Sequence, residues 1–565
     1  MLPRLHLPRT LFFEEVLASR GDLGTLTSCH PRLGTTMSLC FRNCSIIDGS
    51  GAPPFSGDIL VSGERIAQVA GTLVPPSDAE IIDCSGLTVT PGFIDCHSHN
   101  DWFALSEEQS CYFDPFLLQG VTTFIAGNCG YSVVGFRENS PFQHEIGSLF
   151  ERDAASSRFS RFAPWFDAVD AHCPANIACL AGHGTARIGV NGDKNTPLSD
   201  DRRAAMLEDL EQALIDGAGG ISLGLMYEPG LYAPFDELTD VARLCARYDR
   251  ILTVHPRAES NISMSYSSLT RSHLLLALDE LDRLVRETGV RFQHSHLIFA
   301  GRKTWTVEKK AVAVLEKLKA DGFDVAFDMY PLDYGVSIIT VVLPDWYQAM
   351  RREARHRPLT RLRLAAMVYA TTHLLGFGFS DIKIAYGGES QKEVIGRSVA
   401  EVARNRGVSP LKAYLDICEK SDFKATVLMG AYQNDDIIRA LMGNEMSLFM
   451  SDAWVHRHGK QNGGIYGALP RFIELGAQMG QPVEQTIAKM TGKSAARFKL
   501  QDRGLIKEGH FADLNIIDLA ALKTRIDEEL PPLGIRHTYV NGHLVACNGA
   551  RIKSNQVTGH ALRIH

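Results

Sequence analysis

Two histidines at the end of a short apolar segment are the first residues in this sequence that could do chemistry. His97 and His99 follow residues 92–95 (GFID). Side chains at positions i and i+2 of a strand point the same way, so these two imidazoles could share one metal ion. A lone His-x-His pair is weak as a signal, but its position after a Pro-Gly-apolar-apolar-Asp run favours a metal site.

Further residues with metal-binding donors end other apolar segments: Cys129 after VTTFIAGN, His255 after ILTV, His296 after RFQHS and Asp452 after MSLFMS. Any one of them alone could be a core residue or a helix cap, and a lone cysteine such as Cys129 is more often a structural thiol. Five strand ends that all carry such donors are hard to obtain by accident. The mixture of nitrogen, sulfur and oxygen suits zinc better than magnesium or calcium.

The elements that must position these donors follow a simple order along the chain. From Ser38 to about residue 91, apolar and polar residues alternate between Gly, Pro and Asp turns, which predicts strands. Eight strand candidates with helical stretches between most of them then predict a parallel α/β fold. In a (β/α)₈ barrel of the TIM type, catalytic groups lie at the carboxyl ends of the strands, where these donors fall.

The last part of the chain returns to β character, and VNG at 540–542 is a hairpin signal. We therefore expect both ends of the chain to pair into a small β-sandwich domain beside the barrel. The predicted organisation is an N-terminal extension at 1–37, a β-sandwich domain from 38–91 and 504–565, and a barrel at 92–503 with an insertion or lid within about 345–440.

Composition excludes several classes of protein. The 565 residues are 45% hydrophobic and 22% charged, with a net charge of −7, so no clustered basic face for nucleic acid is expected. The apolar runs are far shorter than the ~20 residues of a membrane-spanning helix. Twelve cysteines without the spacing of a disulfide scaffold indicate a reducing, cytoplasmic setting. Residues 1–37 read as a disordered extension or an upstream start, with an organelle address as the alternative.

The motifs together resemble the amidohydrolase superfamily, specifically its D-aminoacylase (N-acyl-D-amino-acid deacylase) branch. The resemblance runs from about Ser38 to the C-terminus and rests on these motifs: PGFIDCHSHND, GVTTFIAGNCG, AGHGTAR, SLGLMYEPGLYA, HPRAES, SHL, DMYP, MSD and the segment from IAKMTGKS to NIID. The GNCG element is specific, because many superfamily members place a carboxylated lysine where this branch has cysteine.

The resemblance implies two neighbouring metal positions. A tightly held zinc would be bound by Cys129, His255 and His296. A second position, often weakly occupied in relatives, would use the remaining donors: His97, His99 and Asp452. Asp452 would also be the catalytic general base, and none of these ligands is replaced in the chain.

The resemblance also suggests residues of the substrate pocket, namely Tyr232, Arg257 and Tyr330. A salt bridge between Arg257 and Glu259 is the structural alternative. Relatives commonly carry a lysine near the substrate carboxylate in the motif S-H-x-K, where this chain has Ile298. The carboxylate could then be held by another cation, such as Arg257 or Arg302, or be absent from the substrate.

Four further histidines have less weight. His183 is expected in the core or behind the ligands, and His294 could share the face of His296. His456 and His458 are expected to be solvated on the loop that follows Asp452.

The sequence therefore predicts a zinc-dependent hydrolase of carbon–nitrogen bonds that deacylates N-acyl-D-amino acids. One alternative is a hydrolase of the same mechanism acting on a different linear or cyclic amide, or an ester. The other is a catalytically silent barrel scaffold. We expect a small-molecule amide as the partner and neither nucleic acid nor membrane; a homo-oligomer is left open.

Overall fold

The computed structural model describes residues 38–147, 150, 155–192, 195–263, 265–268, 270–348, 350–552 and 557–565. The predicted N-terminal extension, residues 1–37, lies outside the described residues. The described residues, from Ser38 onward, belong to one structural unit.

The strands of the described chain fall into four groups. The first five are β1 Leu39–Ile46, β2 Phe55–Ser62, β3 Arg65–Ala70, β4 Glu80–Asp83 and β5 Thr88–Pro91. Next come β6 Phe93–Asp95, β7 Val121–Ala126, β8 Asn176–Cys179, β9 Ala181–Gly182, β10 Gly220–Gly224, β11 Ile251–His255, β12 Arg291–His294 and β13 Val325–Met329. An insertion holds β14 Gly335–Ile338, β15 Ile382–Tyr386 and β16 Thr426–Met429, before β17 Ser447–Phe449. The last group is β18 Leu514–Ile517, β19 Lys523–Arg525, β20 Leu530–Leu533, β21 Ile535–Val540, β22 His543–Cys547 and β23 Ala550–Arg551.

The α-helices lie mainly between the barrel strands. They are α1 Gln109–Leu117, α2 Phe162–Asp170, α3 His183–Asn191, α4 Asp200–Ile215, α5 Phe235–Arg247, α6 His273–Thr288, α7 Glu308–Ala320, α8 Asp345–Gln348, α9 Arg352–Arg355, α10 Pro358–Leu375, α11 Val399–Arg406, α12 Pro410–Lys420, α13 Asp435–Gly443, α14 Gly464–Gln478, α15 Val483–Lys489 and α16 Gly492–Arg497. Among the residues that the structure describes, none of the helices combines the length and the apolar character that crossing a membrane requires.

The barrel consists of eight parallel strand positions. The order is β6, β7, β8 with β9, β10, β11, β12, β13 and β17, and every assigned pairing between neighbours is parallel. The circle closes between the last strand and the first through side chains and backbone: the amide of Ser451 donates to Asp95 at 3.0 Å, and the amide of Asp452 donates to the carbonyl of His97 at 3.2 Å. The predicted (β/α)₈ fold class is confirmed.

The two ends of the chain meet in a nine-stranded sheet. Its order is β23-β22-β21-β18-β5-β1-β2-β3, and β4 adds to β1. The antiparallel pair β5–β18 joins the N-terminal strands to the C-terminal strands, with Val89 opposite Ile516. Both side chains are fully buried in the core of this small domain.

The insertion between β13 and β17 has a core of its own. Strands β14, β16 and β15 form an antiparallel sheet, and helices α8, α10, α11 and α12 pack against it. It contacts the segment after β12, since the amide of Phe299 donates to the carbonyl of Tyr432 at 2.9 Å. The insertion therefore lies at the carboxyl end of the barrel strands, where catalytic groups are found in this fold.

Candidate metal centre

The predicted ligands lie at the carboxyl ends of five barrel strands. His97 and His99 follow β6, Cys129 follows β7, His255 ends β11, His296 follows β12 and Asp452 follows β17. The five histidine and cysteine side chains are at most 6% exposed. The side chain of Asp452 is 22% exposed, so it can also reach water or substrate.

The thiol of Cys129 is the centre of this arrangement. Its Sγ lies 3.3 Å from Nε2 of His97, 3.4 Å from Nε2 of His296 and 3.7 Å from Nδ1 of His255. Nδ1 of His255 and Nε2 of His296 are 2.7 Å apart. Two sets of donors therefore share one sulfur: Cys129 with His255 and His296, and Cys129 with His97 and His99.

Asp452 completes the second set. Its Oδ1 lies 3.6 Å from Nε2 of His97 and 3.6 Å from Nε2 of His99. The structure thus brings together all six residues that the sequence predicts as ligands, with Cys129 between the two sets.

The donor separations fit a metal of the zinc type. In a tetrahedral zinc site with ordinary bond lengths, nitrogen and sulfur ligands lie about 3.6 Å apart and two nitrogens about 3.3 Å apart. The two Cys129–imidazole distances of the first set are 3.4 and 3.7 Å, and only the imidazole pair, at 2.7 Å, must widen. A buried thiol facing three imidazole nitrogens is also the chemistry that zinc prefers.

Three of the predicted ligands have a backbone conformation that is rare for residues other than glycine. The φ angles are 54° at Cys129, 29° at His296 and 46° at Asp452. Such residues concentrate at functional sites and persist only where the surroundings hold them. Around Cys129 the surroundings include Gly224, because a Cβ built there would lie 2.0 Å from the carbonyl oxygen of Cys129. Only glycine lets β10 approach the cysteine this closely.

Two buried carboxylates stand behind the histidines. Oδ1 of Asp328 accepts from Nδ1 of His97 at 3.2 Å and from the amide of His296 at 2.7 Å. Oε1 of Glu259 lies 2.7 Å from Nδ1 of His296, and Oε2 lies 3.7 Å from Nε2 of His255. A carboxylate on the far ring nitrogen orients a histidine toward a metal. Asp328 was not predicted from the sequence, although it lies on β13 two residues before Tyr330, a spacing at which extended side chains point the same way.

The electrostatics of the cluster keep Cys129 and Asp452 ionised. Burial would raise the pKa of the Cys129 thiol, but His97 and His296 hold that pKa well below its ordinary value. Burial would likewise raise the pKa of Asp452, yet His99 and His296 lower it. In turn, burial opposes the charged form of His97, while Cys129 and Asp328 raise its pKa to about 10. The site therefore presents a thiolate and a carboxylate at neutral pH.

Aromatic side chains form one wall of the site. The His99 ring stacks on Phe150, with centroids 4.9 Å apart, and meets the edge of Trp454 at 5.2 Å. On another side, Tyr227 lies 4.6 Å from the His255 ring. Burial and the nearby Asp452 carboxylate raise the pKa of Tyr330, and burial and Glu259 raise that of Tyr432. The tyrosines therefore offer neutral hydroxyl groups close to the donors.

The predicted substrate residues differ in their surroundings. Tyr330 is buried near Asp452, as described. The hydroxyl of Tyr232 donates to Glu228 at 2.6 Å. All three nitrogens of Arg257 are engaged: Nε donates to Glu280 at 2.9 Å, and the other two donate to the carbonyls of Leu231 and Ala233. The suggested pair of Arg257 with Glu259 is wrong, because Glu280 takes the arginine and Glu259 faces the histidines. The charge of Arg257 is thus paired with Glu280, and whether Arg257 also contacts the substrate stays a prediction.

Two other positions bear on how a substrate carboxylate could be bound, namely Arg302 and Ile298. Arg302 makes two hydrogen bonds of 2.8 Å to Asp381. Ile298 is 4% exposed and packs in an apolar cluster with Tyr330 and Leu332.

The remaining histidines do not join the ligand sets. His183 is buried and lies 2.8 Å from Glu237, which agrees with its expected place in the core. Burial lowers the pKa of His294 to about 4, so it is neutral. His456 is not solvated as expected: its Nε2 is buried and has no hydrogen-bond partner among the described residues, and burial lowers its pKa to about 4.

A cavity of about 680 Å³ lies between the insertion and the barrel. It is lined by Arg302, Asp333, Tyr334, Lys383 and Gln461, among others, and by none of the predicted metal ligands. It is open and rich in charge, and we assign no part of the chemistry to it.

Known proteins resemble this chain over nearly its full described length. A family described as "Amidohydrolase family" matches residues 80–252 and 451–546. A D-aminoacylase of Alcaligenes xylosoxydans xylosoxydans is 30% identical over 504 residues, which cover 88% of this chain and 92% of that enzyme.

Two solved structures of related enzymes superpose on the chain. The first is a D-aminoacylase with a binuclear metal centre. It superposes with a TM-score of 0.73 and 27% identity, and the match covers 93% of this chain and 99% of the D-aminoacylase chain. The N-acyl-D-glutamate deacylase of Bordetella bronchiseptica, complexed with zinc and a phosphonate inhibitor that mimics the tetrahedral intermediate, has a TM-score of 0.73, with 25% identity over 94% of this chain and all of that one. The chain therefore belongs to the D-aminoacylase family of amidohydrolases and is a hydrolase of carbon–nitrogen bonds other than peptide bonds.

Proposed function

We propose that this protein is a zinc-dependent deacylase of N-acyl-D-amino acids. The observation that carries the proposal is the Cys129 sulfur, which lies within 3.7 Å of three imidazole nitrogens at the open end of the barrel. The zinc and the phosphonate inhibitor in the related N-acyl-D-glutamate deacylase support the choice of metal and of reaction.

In this proposal, Cys129, His255 and His296 would hold the tighter zinc. His97, His99 and Asp452 would hold a second, weaker ion, and the Cys129 sulfur lies 3.3 Å from Nε2 of His97. A zinc bound there would supply a Lewis acid for the scissile carbonyl and would lower the pKa of a water molecule.

Asp452 moves the proton. Its carboxylate is ionised, because the histidines lower its pKa, and its 22% exposure lets it face a water molecule. It accepts the proton of the attacking water and passes it to the leaving amine. The neutral hydroxyl of Tyr330, whose pKa is raised by burial and by Asp452, would donate a hydrogen bond to the substrate.

Two measurements test this function. Elemental analysis of the purified protein should find about one zinc per chain or more. A panel of N-acetyl amino acids in paired D and L forms, assayed with the zinc-loaded enzyme, should show hydrolysis of the D forms. Full activity without metal, or equal rates on both stereoisomers, would contradict the proposal.

A second candidate is a hydrolase of the same mechanism acting on an amide without a free carboxylate. Ile298 stands where relatives commonly have a lysine, while Arg257 and Arg302 are engaged with Glu280 and Asp381. A buried carboxylate without a cation costs several kcal/mol. The comparison that separates the candidates is the rate on free-carboxylate substrates against their amide-capped forms.

Ile298→Lys should lower KM for the free-carboxylate substrates if the new ammonium reaches that place. A wild-type enzyme that already strongly prefers the free D-carboxylate would mean that another residue supplies the cation, and would favour the first candidate.

A further inference from the structure

Exposed apolar side chains concentrate on one part of the insertion. Thirteen large hydrophobic residues are exposed in the described chain, and seven of them lie between residues 338 and 374: Ile338, Val341, Leu359, Leu362, Met367, Tyr369 and Leu374. Five of these are on helix α10, and the turn Ile339–Val342 packs against that helix. Such a concentration of exposed apolar side chains is notable, because soluble monomers rarely expose contiguous apolar patches larger than a few hundred Å², and larger ones mark interaction sites.

Helix α10 is apolar on two opposite faces. Leu364 and Val368 are buried in the core of the insertion, at 0% and 2% exposure. At 100° per residue, Leu359, Leu362 and Tyr369 lie on the other face, and they are 78%, 68% and 71% exposed. A helix that is apolar all round is normally buried all round. The apolar residues of the inner face are therefore accounted for by the core of the insertion. Those of the outer face are not buried by any of the described residues.

Arginines are concentrated in the segment that leads into helix α10 and in its first two turns. Residues 351–363 (RREARHRPLTRLR) hold six arginines and one glutamate, in a chain whose net charge is −7. Arg355 donates to backbone carbonyls, Arg361 contacts His356 and Arg363 lies over the Trp346 ring. In the described part of the chain, none of the six forms an ion pair with a carboxylate. The positive charge thus remains available to an anionic partner.

We propose that the outer face of helix α10, with the arginines of residues 351–363, docks on an anionic lipid surface. Apolar and aromatic side chains beside arginines are the combination that lies in the interface of a bilayer, with the charges at the headgroups. The inference does not depend on the proposed function, and it departs from the sequence-based expectation that no membrane is a partner.

A second copy of the chain fits this surface less well. A two-fold contact would bring the same face of each copy together, and with it two sets of six arginines. Like charges brought together at an interface disfavour association. The charge therefore favours a lipid surface over a self-contact.

Vesicle sedimentation of the full chain tests the proposal. We expect the protein to sediment with vesicles of phosphatidylcholine and phosphatidylserine, to do so much less with phosphatidylcholine alone, and to dissociate as salt is raised. L362E together with Y369E should lower the bound fraction at least tenfold. Val74→Glu, at a residue 96% exposed in the terminal β-domain, is the matched control and should bind as wild type does.

The charge contribution is tested separately. Arg352 and Arg357 are both exposed. Each arginine removed near an anionic bilayer should weaken partitioning about fivefold, so R352S with R357S should weaken it roughly 25-fold. R243S with R247S, at arginines of helix α5 whose side chains are 61% and 65% exposed, is the control.

Circular dichroism of each variant reports whether it is folded, and light scattering reports its oligomeric state. Unchanged circular dichroism in L362E with Y369E shows that the variant folds, as expected because Leu364 and Val368 hold the helix. No sedimentation with anionic vesicles would overturn the proposal, and so would binding that survives L362E with Y369E. A dimer that this variant converts to a monomer would overturn it in favour of a second copy.

Discussion

Replacing Asp328 by asparagine should weaken metal binding at both positions of the centre. The reason is that one carboxylate serves both donor sets: Oδ1 accepts from the His97 ring at 3.2 Å and from the His296 amide at 2.7 Å. Oδ2 accepts from Nε2 of Gln293 at 2.9 Å. In Asp328→Asn an NH₂ group, which cannot accept a hydrogen bond, takes the place of one of these two acceptor oxygens. The negative charge beside His97 is also lost.

The magnitude follows from these contacts. A hydrogen bond to a charged group contributes about 1.5 to 3 kcal/mol, and a buried donor without a partner costs a similar amount. We therefore expect Asp328→Asn to lower the free energy of unfolding by about 2 to 4 kcal/mol, since one charged bond weakens and one donor loses its acceptor. Metal affinity should fall about 10- to 100-fold, as for other carboxylates that orient histidine ligands.

Dialysis against graded chelator, followed by elemental analysis, measures the affinity, and urea unfolding measures the stability. Asp58→Asn is the control, because this carboxylate is also buried and accepts from the amides of Asn43 and Leu73, in the terminal β-domain. It should cost stability without changing metal affinity. Unchanged binding of both ions in folded Asp328→Asn would refute the argument and make Asp328 an ordinary core residue.

Three further changes probe the site. Asp452→Asn should keep the fold and the tighter metal but reduce kcat by about 10²- to 10⁴-fold, and near-normal turnover in the metal-loaded variant would identify another base. Gly224→Ala should displace the Cys129 carbonyl, lower stability by about 1 to 3 kcal/mol and reduce metal content, whereas Gly71→Ala, with open space around it, should do neither. Because burial lowers the pKa of His456 to about 4 from an ordinary 6.5, the unfolded chain takes up that proton first as pH falls. The free energy of unfolding should therefore drop between pH 6.5 and 4, and His456→Gln should flatten this drop by up to about 3 kcal/mol in urea titrations, while an unchanged slope would show that His456 is already solvated.

The barrel and its ligand-bearing ends could be predicted because the relevant signals are local. A short apolar run marks a buried strand, and the residue after it lies at the carboxyl end of that strand whatever the rest of the chain does. The runs before His97 and His255 are β6 and β11. The pairing of the two chain ends could likewise be predicted, since both ends alternate polar and apolar residues.

The residues behind the ligands could not be predicted, because their partners come from distant segments. Arg257 and Glu259 are close in sequence and of opposite charge, which suggested a pair. In the fold Arg257 forms an ion pair with Glu280 on α6, while Glu259 contacts His296 after β12. Tyr432 reaches the site from the insertion, where the sequence pattern indicated neither strands nor their order.

Contacts with neighbouring residues also explain how three of the predicted ligands keep an unfavourable backbone conformation. Left-handed conformations at Cys129, His296 and Asp452 cost about 1 to 3 kcal/mol each unless the surroundings hold them. Gly224 makes room for the carbonyl of Cys129, Asp328 holds the amide of His296, and the His97 carbonyl holds the amide of Asp452. Each of these three residues is thus held by contacts of the protein itself. The fold of the barrel therefore sets the positions of the predicted donors.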